Sequence, residues 1–262
     1  MSLSAIRVNE LARYLEQAEM SRSPVAKVTE LEPNLDWLDA YDIQWALRRQ
    51  KLERGTRLAG LKMGLTSRAK MLQMGVETPI YGFLADYFSV ASDGAIPVAD
   101  LIHPRVEAEI AFVTRRALEG PGCTIADALA ATDFVVAAIE VIDSRYENFK
   151  FDLKSVIADN ASSARFVVGV RAGNVRELDL PNLGVVLEKN GEGVAFGAGA
   201  AVLGHPAQSL ASLANLLAER NEGIPAGMFV MTGGITEAIA VKQGDHVAAH
   251  IQGLGSVSVR FI

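Results

Sequence analysis

Arg105-Val106-Glu107-Ala108-Glu109-Ile110-Ala111-Phe112-Val113-Thr114 alternates with a period of two, the pattern of a β-strand. Val106, Ala108, Ile110 and Phe112 take one face and enter a core. Glu107, Glu109, Ala111 and Val113 take the other. Residues i and i+2 of a strand point the same way about 7 Å apart, so the two carboxylates converge on one side. Further on, Phe134 to Ile142 is an almost continuous apolar run, the pattern of a strand buried on both faces, although a buried helix fits the same run. Glu140 lies inside it, where an unpaired ionised carboxylate would be expensive enough to neutralise itself. Two readings stay open. Either Glu107 and Glu109 face solvent while Glu140 pairs with Arg145 or Arg105, or a shared divalent ion satisfies all three carboxylates. An all-oxygen set suits Mg²⁺ or Mn²⁺ and leaves coordination positions for water or substrate.

Outward from this strand the chain divides into two textures. On the N-terminal side, Val8, Leu11, Ala12, Leu15 and Ala18 follow a helical period, and Asp36 and Asp39 cap a second helix running to about Glu53, stopped at Gly55. Tyr41, Trp45 and Leu47, or Ile43 and Leu47, form its buried stripe. From Arg57 to Ile262, short apolar runs bounded by Gly, Pro, Asn and Asp replace the helical period. Asn190-Gly191 after Val185 to Leu187 predicts a hairpin. Leu210, Leu213, Leu216 and Leu217 predict a helix over 209–220, capped by Ser209 or begun near Pro206. Met228–Thr232, His246–Ile251 and Ser256–Ile262 read as further strands. The expected fold class is α+β. A helical cap over residues 1–55 packs on one closed or strongly curved β-rich catalytic core over 56–262, the whole a single domain.

Composition narrows the function. The 262 residues carry 25 basic and 31 acidic side chains, a net charge of -6, which offers no diffuse basic footprint for nucleic acid. One cysteine, Cys123, forms no intramolecular disulfide or thiolate cluster and predicts a reducing compartment. With no secretory signal and no apolar run of about 20 residues, the expected location is the cytoplasm. Dinucleotide and Walker phosphate loops, the Gly-x-Ser-x-Gly elbow and His-Glu-x-x-His are all missing from the sequence.

Lys62, in Gly60-Leu61-Lys62-Met63-Gly64-Leu65-Thr66, sits where an ammonium has little local water. It is either a snorkelling edge residue or a desolvated acid, base or anion ligand. Arg145, Lys150 and Lys154 make a loose basic group, either a solvated face or an anion site. His103, His205, His246 and His250 show no ligand spacing. Thr232-Gly233-Gly234 is a flexible turn that either brings backbone amides to an anion or simply turns.

Taken together, Gly60 to Thr66, Arg105 to Ile110, Ala158-Asp159-Asn160-Ala161-Ser162-Ser163, Leu203-Gly204-His205-Pro206 and Gly253-Leu254-Gly255-Ser256-Val257 resemble the hydratase/decarboxylase branch of the fumarylacetoacetate hydrolase superfamily. The resemblance covers nearly the whole chain. It implies a mixed β-roll and a Mg²⁺ ion, replaceable by Mn²⁺, held by Glu107, Glu109 and Glu140. Lys70 to Val76 and Val141 to Phe151 are similar to the branch's decarboxylases, which act on 4-oxalocrotonate (2-oxohex-3-enedioate) and release 2-hydroxypenta-2,4-dienoate and CO2. Hydratases of the branch often carry Gly-Ser-Arg at Asp143-Ser144-Arg145 and an acidic residue at Ile80. The resemblance further implies Lys62 as the group that stabilises or protonates an enolate. Leu65, Ile80, Arg145, Ser162 and Thr232 are the expected substrate contacts, with an apolar Leu65 or Ile80 favouring loss of neutral gas. It implies a homo-oligomer and a homologous hydratase as companion. Hydration of the dienol, or a weakly active structural role beside a hydratase, is the competing expectation. Hydrolysis of a C–C bond would need a base for water, and no histidine is spaced to supply one.

Overall fold

The structure is a computed structural model and describes residues 2–68, 71, 72 and 75–262. Helix α1 (Ala5–Ser21) starts at Ser4, whose side chain accepts from the Arg7 N–H, and it buries Val8, Leu11, Ala12, Leu15 and Ala18. A single turn, α2 (Val28–Leu31), leads to α3 (Trp37–Glu53). Asp36 and Asp39 cap α3 reciprocally, each side chain accepting from the other's backbone N–H. Its buried stripe is Tyr41, Ile43 and Leu47, while Trp45 is only half-buried. Helix α1 packs against α3.

The strands follow as β1 (Leu58–Gly64), β2 (Ile80–Ala85), β3 (Ser89–Val90), β4 (Gly94–Ile96) and β5 (Arg105–Thr114). Helix α4 (Ile125–Ala131), set by a Thr124–Asp127 capping box, precedes β6 (Thr132–Ile142). This helix takes up the first part of the long apolar stretch and leaves the strand to begin at Thr132. Helix α5 (Leu153–Ala158), packed against α3, leads to β7 (Ser163–Val168). The hairpin of β8 (Gly184–Lys189) and β9 (Glu192–Ala198) turns on Asn190 and Gly191, both at positive φ, as the Asn-Gly pair predicts. Helix α6 (Pro206–Ala218) starts at Pro206 rather than Ser209, because His205 Nδ1 accepts the Ala207 N–H as its cap. The chain ends with β10 (Phe229–Met231), β11 (Ile239–Ala240), β12 (His246–Ile251) and β13 (Gly255–Phe261).

These strands build the curved β-rich core expected, and they do so as two sheets. The larger is mixed and runs β2-β1-β10-β5-β6-β7-β3, with β11 also pairing β5; the smaller runs β4-β13-β12-β8-β9. The reason lies in β5 and β6, which are buried on both faces. One face, carrying Ala108, Ile110, Ala137 and Ile139, shares a core with Leu187, Ala249 and Val257 of the smaller sheet. The opposite face carries Ala111, Val136 and Ala138 in a small apolar cluster of its own, beside the three glutamates. The site therefore lies on the side of the larger sheet turned away from the second sheet.

Candidate active site

Register brings the carboxylates together. Glu107 on β5 pairs directly across from Glu140 on β6, and Glu109 stands across from Ala138 on the same face. One oxygen from each of the three lies within 4.8 Å of the other two. All three residues are buried, at 6 %, 0 % and 0 % exposure for Glu107, Glu109 and Glu140. Like charges directly opposite one another destabilise a sheet, so the cluster calls for a cation.

β5 is hydrogen-bonded to β10 at one end and to β11 at the other, and the segment between those strands wraps the middle of β5. The Gly233 N–H donates to Glu109 Oε2 at 2.8 Å, and the Ile235 N–H donates to the Ala108 carbonyl. Two glycines are required here. Gly233 has φ +103° and packs on Thr66, and a Cβ on Gly234 would lie 2.5 Å from Glu107 Oε2. The anion reached by this turn is thus the protein's own carboxylate.

Lys62, on β1, extends into the same space. Its Nζ lies 3.1 Å from Glu140 Oε2 and donates to the Ala161 carbonyl at 3.1 Å. That carbonyl is presented by an unusual turn: Asn160, Ala161 and Ser162 have φ of 52°, 50° and 58°, three successive left-handed residues without a glycine. Such a run is strained and persists only where its surroundings enforce it. Asn160 enforces it by accepting the Phe83 N–H and donating to the Phe83 carbonyl, in the manner of an added strand.

Burial, reinforced by the Glu140 charge, pushes the Glu109 carboxyl well above the usual carboxylate range against the pull of Lys62. Burial likewise raises Glu140. Glu109 Oε1 and Glu140 Oε1 have no hydrogen-bond partner among the described residues. Three carboxylates are gathered in one buried place, and both Glu109 and Glu140 keep an oxygen without a partner among the described residues. A hard divalent cation fits this donor set.

Above the cluster opens a cavity of about 450 Å³. Glu107, Lys62, Arg105 and Lys150 give it charge, and Leu65, Ile80, Ile142, Phe149, Phe151 and Val156 give it an apolar wall. Ser162 also lines it, its hydroxyl 3.3 Å from Asp159. Two expected substrate contacts are not there. Arg145 is fully buried elsewhere, with its guanidinium donating to the Asp159 carboxylate and to the carbonyls of Asp143, Asp159 and Ser163. The strand ends at Ile142, and the turn after it carries Arg145 into that network. The Thr232 hydroxyl donates to the Ile110 carbonyl and holds the turn that aims Gly233. Lys154 does not line the cavity, and neither do the four histidines. Of the two positions expected to distinguish decarboxylases from hydratases, Ile80 touches the cavity; Asp143 instead accepts the N–H groups of Ile102 and His103. In the Lys70–Val76 segment, Lys70, Gln73 and Met74 lie outside the described residues. Arg105 and Phe149 are the site residues that sequence reasoning missed. The signal for Arg105 was present, since it stands two residues before Glu107 on the same face.

Residues 64–262 match the family model described as "Fumarylacetoacetate (FAA) hydrolase C-terminal". The chain belongs to the fumarylacetoacetate hydrolase family. Among this family member's relatives, a 4-oxalocrotonate decarboxylase of Pseudomonas sp. strain CF600 is 62 % identical over 261 residues, covering 100 % of this chain and 99 % of the relative. A 2-keto-4-pentenoate hydratase of Paraburkholderia phymatum is 39 % identical, covering 97 % of each. A solved structure of 4-oxalocrotonate decarboxylase from Pseudomonas putida G7, complexed with magnesium and adipate, superposes with a TM-score of 0.98 at 60 % identity, covering 100 % of this chain and 99 % of that one.

Proposed function

We propose that this member of the family catalyses the metal-dependent decarboxylation of 4-oxalocrotonate (2-oxohex-3-enedioate) to 2-hydroxypenta-2,4-dienoate and CO2. The observation that carries the reading is one cavity lined by Lys62, by Glu107 of the buried carboxylate triad and by an apolar wall at Leu65 and Ile80. The 62 % identity to a decarboxylase over the full chain supports it, against 39 % to a hydratase. Glu107, Glu109 and Glu140 would hold Mg²⁺, with Mn²⁺ as substitute, and the ion would supply a Lewis acid for the 2-oxo-acid end of the substrate.

The reaction follows from the substrate's vinylogous β-keto acid. The C5–C6 bond breaks and CO2 leaves, while its electron pair forms C4=C5, moves the former C3=C4 pair to C2=C3 and places the charge on the 2-oxygen. Lys62 Nζ, fixed by Glu140 and the Ala161 carbonyl, stabilises that oxygen and gives it the proton that completes the enol. Leu65 and Ile80 exclude water and place no carboxylate where an attacking water would need a base. Ser162 hydrogen-bonds the substrate at the cavity wall. The product is passed to a homologous hydratase in a cytoplasmic complex, for which exposed Phe196 on edge strand β9 and exposed Val170 offer apolar surface.

Purified protein with Mg²⁺ is given 2-oxohex-3-enedioate and, separately, 2-hydroxypenta-2,4-dienoate, with CO2 and dienol followed independently. The expected result is CO2 release that a chelator abolishes. Consumption of the dienol alone would make the protein a hydratase.

A further inference from the structure

Arg105, Glu107 and Glu109 occupy alternate positions of β5 and share a face, so Arg105 stands about 7 Å along the strand from Glu107, on the cavity side. Its guanidinium lies over the Phe149 ring, 4.2 Å from the centroid, and no carboxylate among the described residues pairs with it. The other cavity cations are differently disposed. Lys62 is engaged by Glu140 and Ala161, and Lys150 is exposed. Arg145, the cation that sequence reasoning favoured for an anion, is closed into its own network.

The platform under Arg105 is held in a strained form. Asn148 and Phe149 both lie in the left-handed region, at φ 57° and 56°, a conformation costly for a bulky aromatic residue. The segment is closed by hydrogen bonds from the Phe149 N–H to the Tyr146 carbonyl and from the Lys150 N–H to the Glu147 carbonyl. Stacking engages the flat face of a guanidinium and leaves the donors on its rim free, in the planar fork that matches a carboxylate. Half-buried against an apolar wall, such a group is less hydrated than a surface arginine.

We propose that Arg105, laid on Phe149, is the specificity-determining residue that binds the distal carboxylate of a dicarboxylic 2-oxo acid whose 2-oxo-acid end meets the Glu107–Glu109–Glu140 cluster. This rests on the function proposed above and adds the residue that selects a diacid over a monoacid. The contact is strongest while the distal group is still an anion and fades as it becomes neutral CO2. It therefore serves selection and orientation more than barrier lowering.

The test compares 2-oxoadipate with 2-oxohexanoate, which differ only in the distal carboxylate, by calorimetric titration of the Mg²⁺-loaded protein. Wild type is expected to bind 2-oxoadipate at least tenfold more tightly. Arg105→Met is expected to lose about 10- to 100-fold for 2-oxoadipate and under about threefold for 2-oxohexanoate, at unchanged Mg²⁺ affinity, the range of a charge-assisted hydrogen-bonded pair. Phe149→Leu, which keeps the charge and removes the platform, should lose an intermediate amount for 2-oxoadipate alone. With 2-oxohex-3-enedioate, Arg105→Met should raise KM by a larger factor than it lowers kcat. Equal weakening of both ligands would overturn the proposal, as would a wild type that does not distinguish them. A wild type that binds neither 2-oxo acid would instead sink the function on which the proposal rests. If Arg105→Met fails to fold, Arg105→Lys decides: it retains charge but not the fork, and undiminished 2-oxoadipate binding would overturn the assignment.

Discussion

Glu109 and Lys62 occupy one charge cluster but answer different questions. Glu109 is fully buried, accepts from the Gly233 N–H and has a second oxygen with no partner among the described residues. Glu109→Gln keeps the shape and the Gly233 hydrogen bond while removing a charge and a hard ligand. Mg²⁺ affinity and CO2 release should therefore fall together, by calorimetric titration and by assay; full activity after chelation and dialysis would sink the metal assignment. Lys62→Met removes the cation paired with Glu140 among the described residues. It should retain Mg²⁺ binding, because the site becomes more negative, while turnover drops roughly 10²- to 10⁴-fold if Nζ acts on the enolate oxygen. Unchanged turnover would return Lys62 to a packing role.

At the scale of elements, the turn Asn160–Ala161–Ser162 decides where Lys62 points. Its left-handed backbone is held by two hydrogen bonds between the Asn160 amide and Phe83 in β2. Asn160→Ala would leave the Phe83 N–H and carbonyl unpaired in a buried place, a loss of about 1–3 kcal/mol for each group. A drop in melting temperature of roughly 4–24 °C is expected from differential scanning calorimetry, taking about 2–4 °C per kcal/mol for a chain of this size. A change within 1 °C would mean that the turn holds itself. This element also shows what could be read in advance. Glu107 and Glu109 were legible because same-face spacing on a strand is a local property, and Glu140 because a lone carboxylate in an apolar run needs an explanation. The pairing of Glu107 with Glu140 depends on register, and the left-handed turn on contacts with β2, neither of which is local. Arg145 was misread for the same reason: its charge was visible, but its direction depends on Asp159, which follows an intervening helix.

Across the whole molecule, the helical cap is tied to itself and to the larger sheet by carboxylates that need their charge. Asp39 receives the N–H groups of Leu3 and Asp36 and the Ser2 hydroxyl, which outweigh burial and hold it below its ordinary value of 3.8. Glu19 joins α1 to Lys51 of α3 and to the Tyr87 hydroxyl beyond β2; burial would raise it, but the Lys51 and Arg145 charges prevail and lower it. Asp152 links Thr29 of α2 to the start of α5, and those hydrogen bonds likewise lower it against burial. A carboxyl depressed in the folded state contributes stability that is complete above its unfolded value and is lost as pH falls through the folded one. The stabilisation of the cap is therefore expected to be full above about pH 4.5 and to drain away below it. The only tryptophans, Trp37 and Trp45, both belong to α3, so intrinsic fluorescence reports on the cap. Acid titration should move their emission at or above the pH at which circular dichroism records loss of the sheets. In Asp39→Asn the charge-dependent hydrogen bonds are already weakened, so cap stability at pH 7 should be lower and its remaining acid dependence shallower. An Asp39→Asn protein with wild-type stability and an unchanged acid profile would show that the cap is held by its apolar stripe alone.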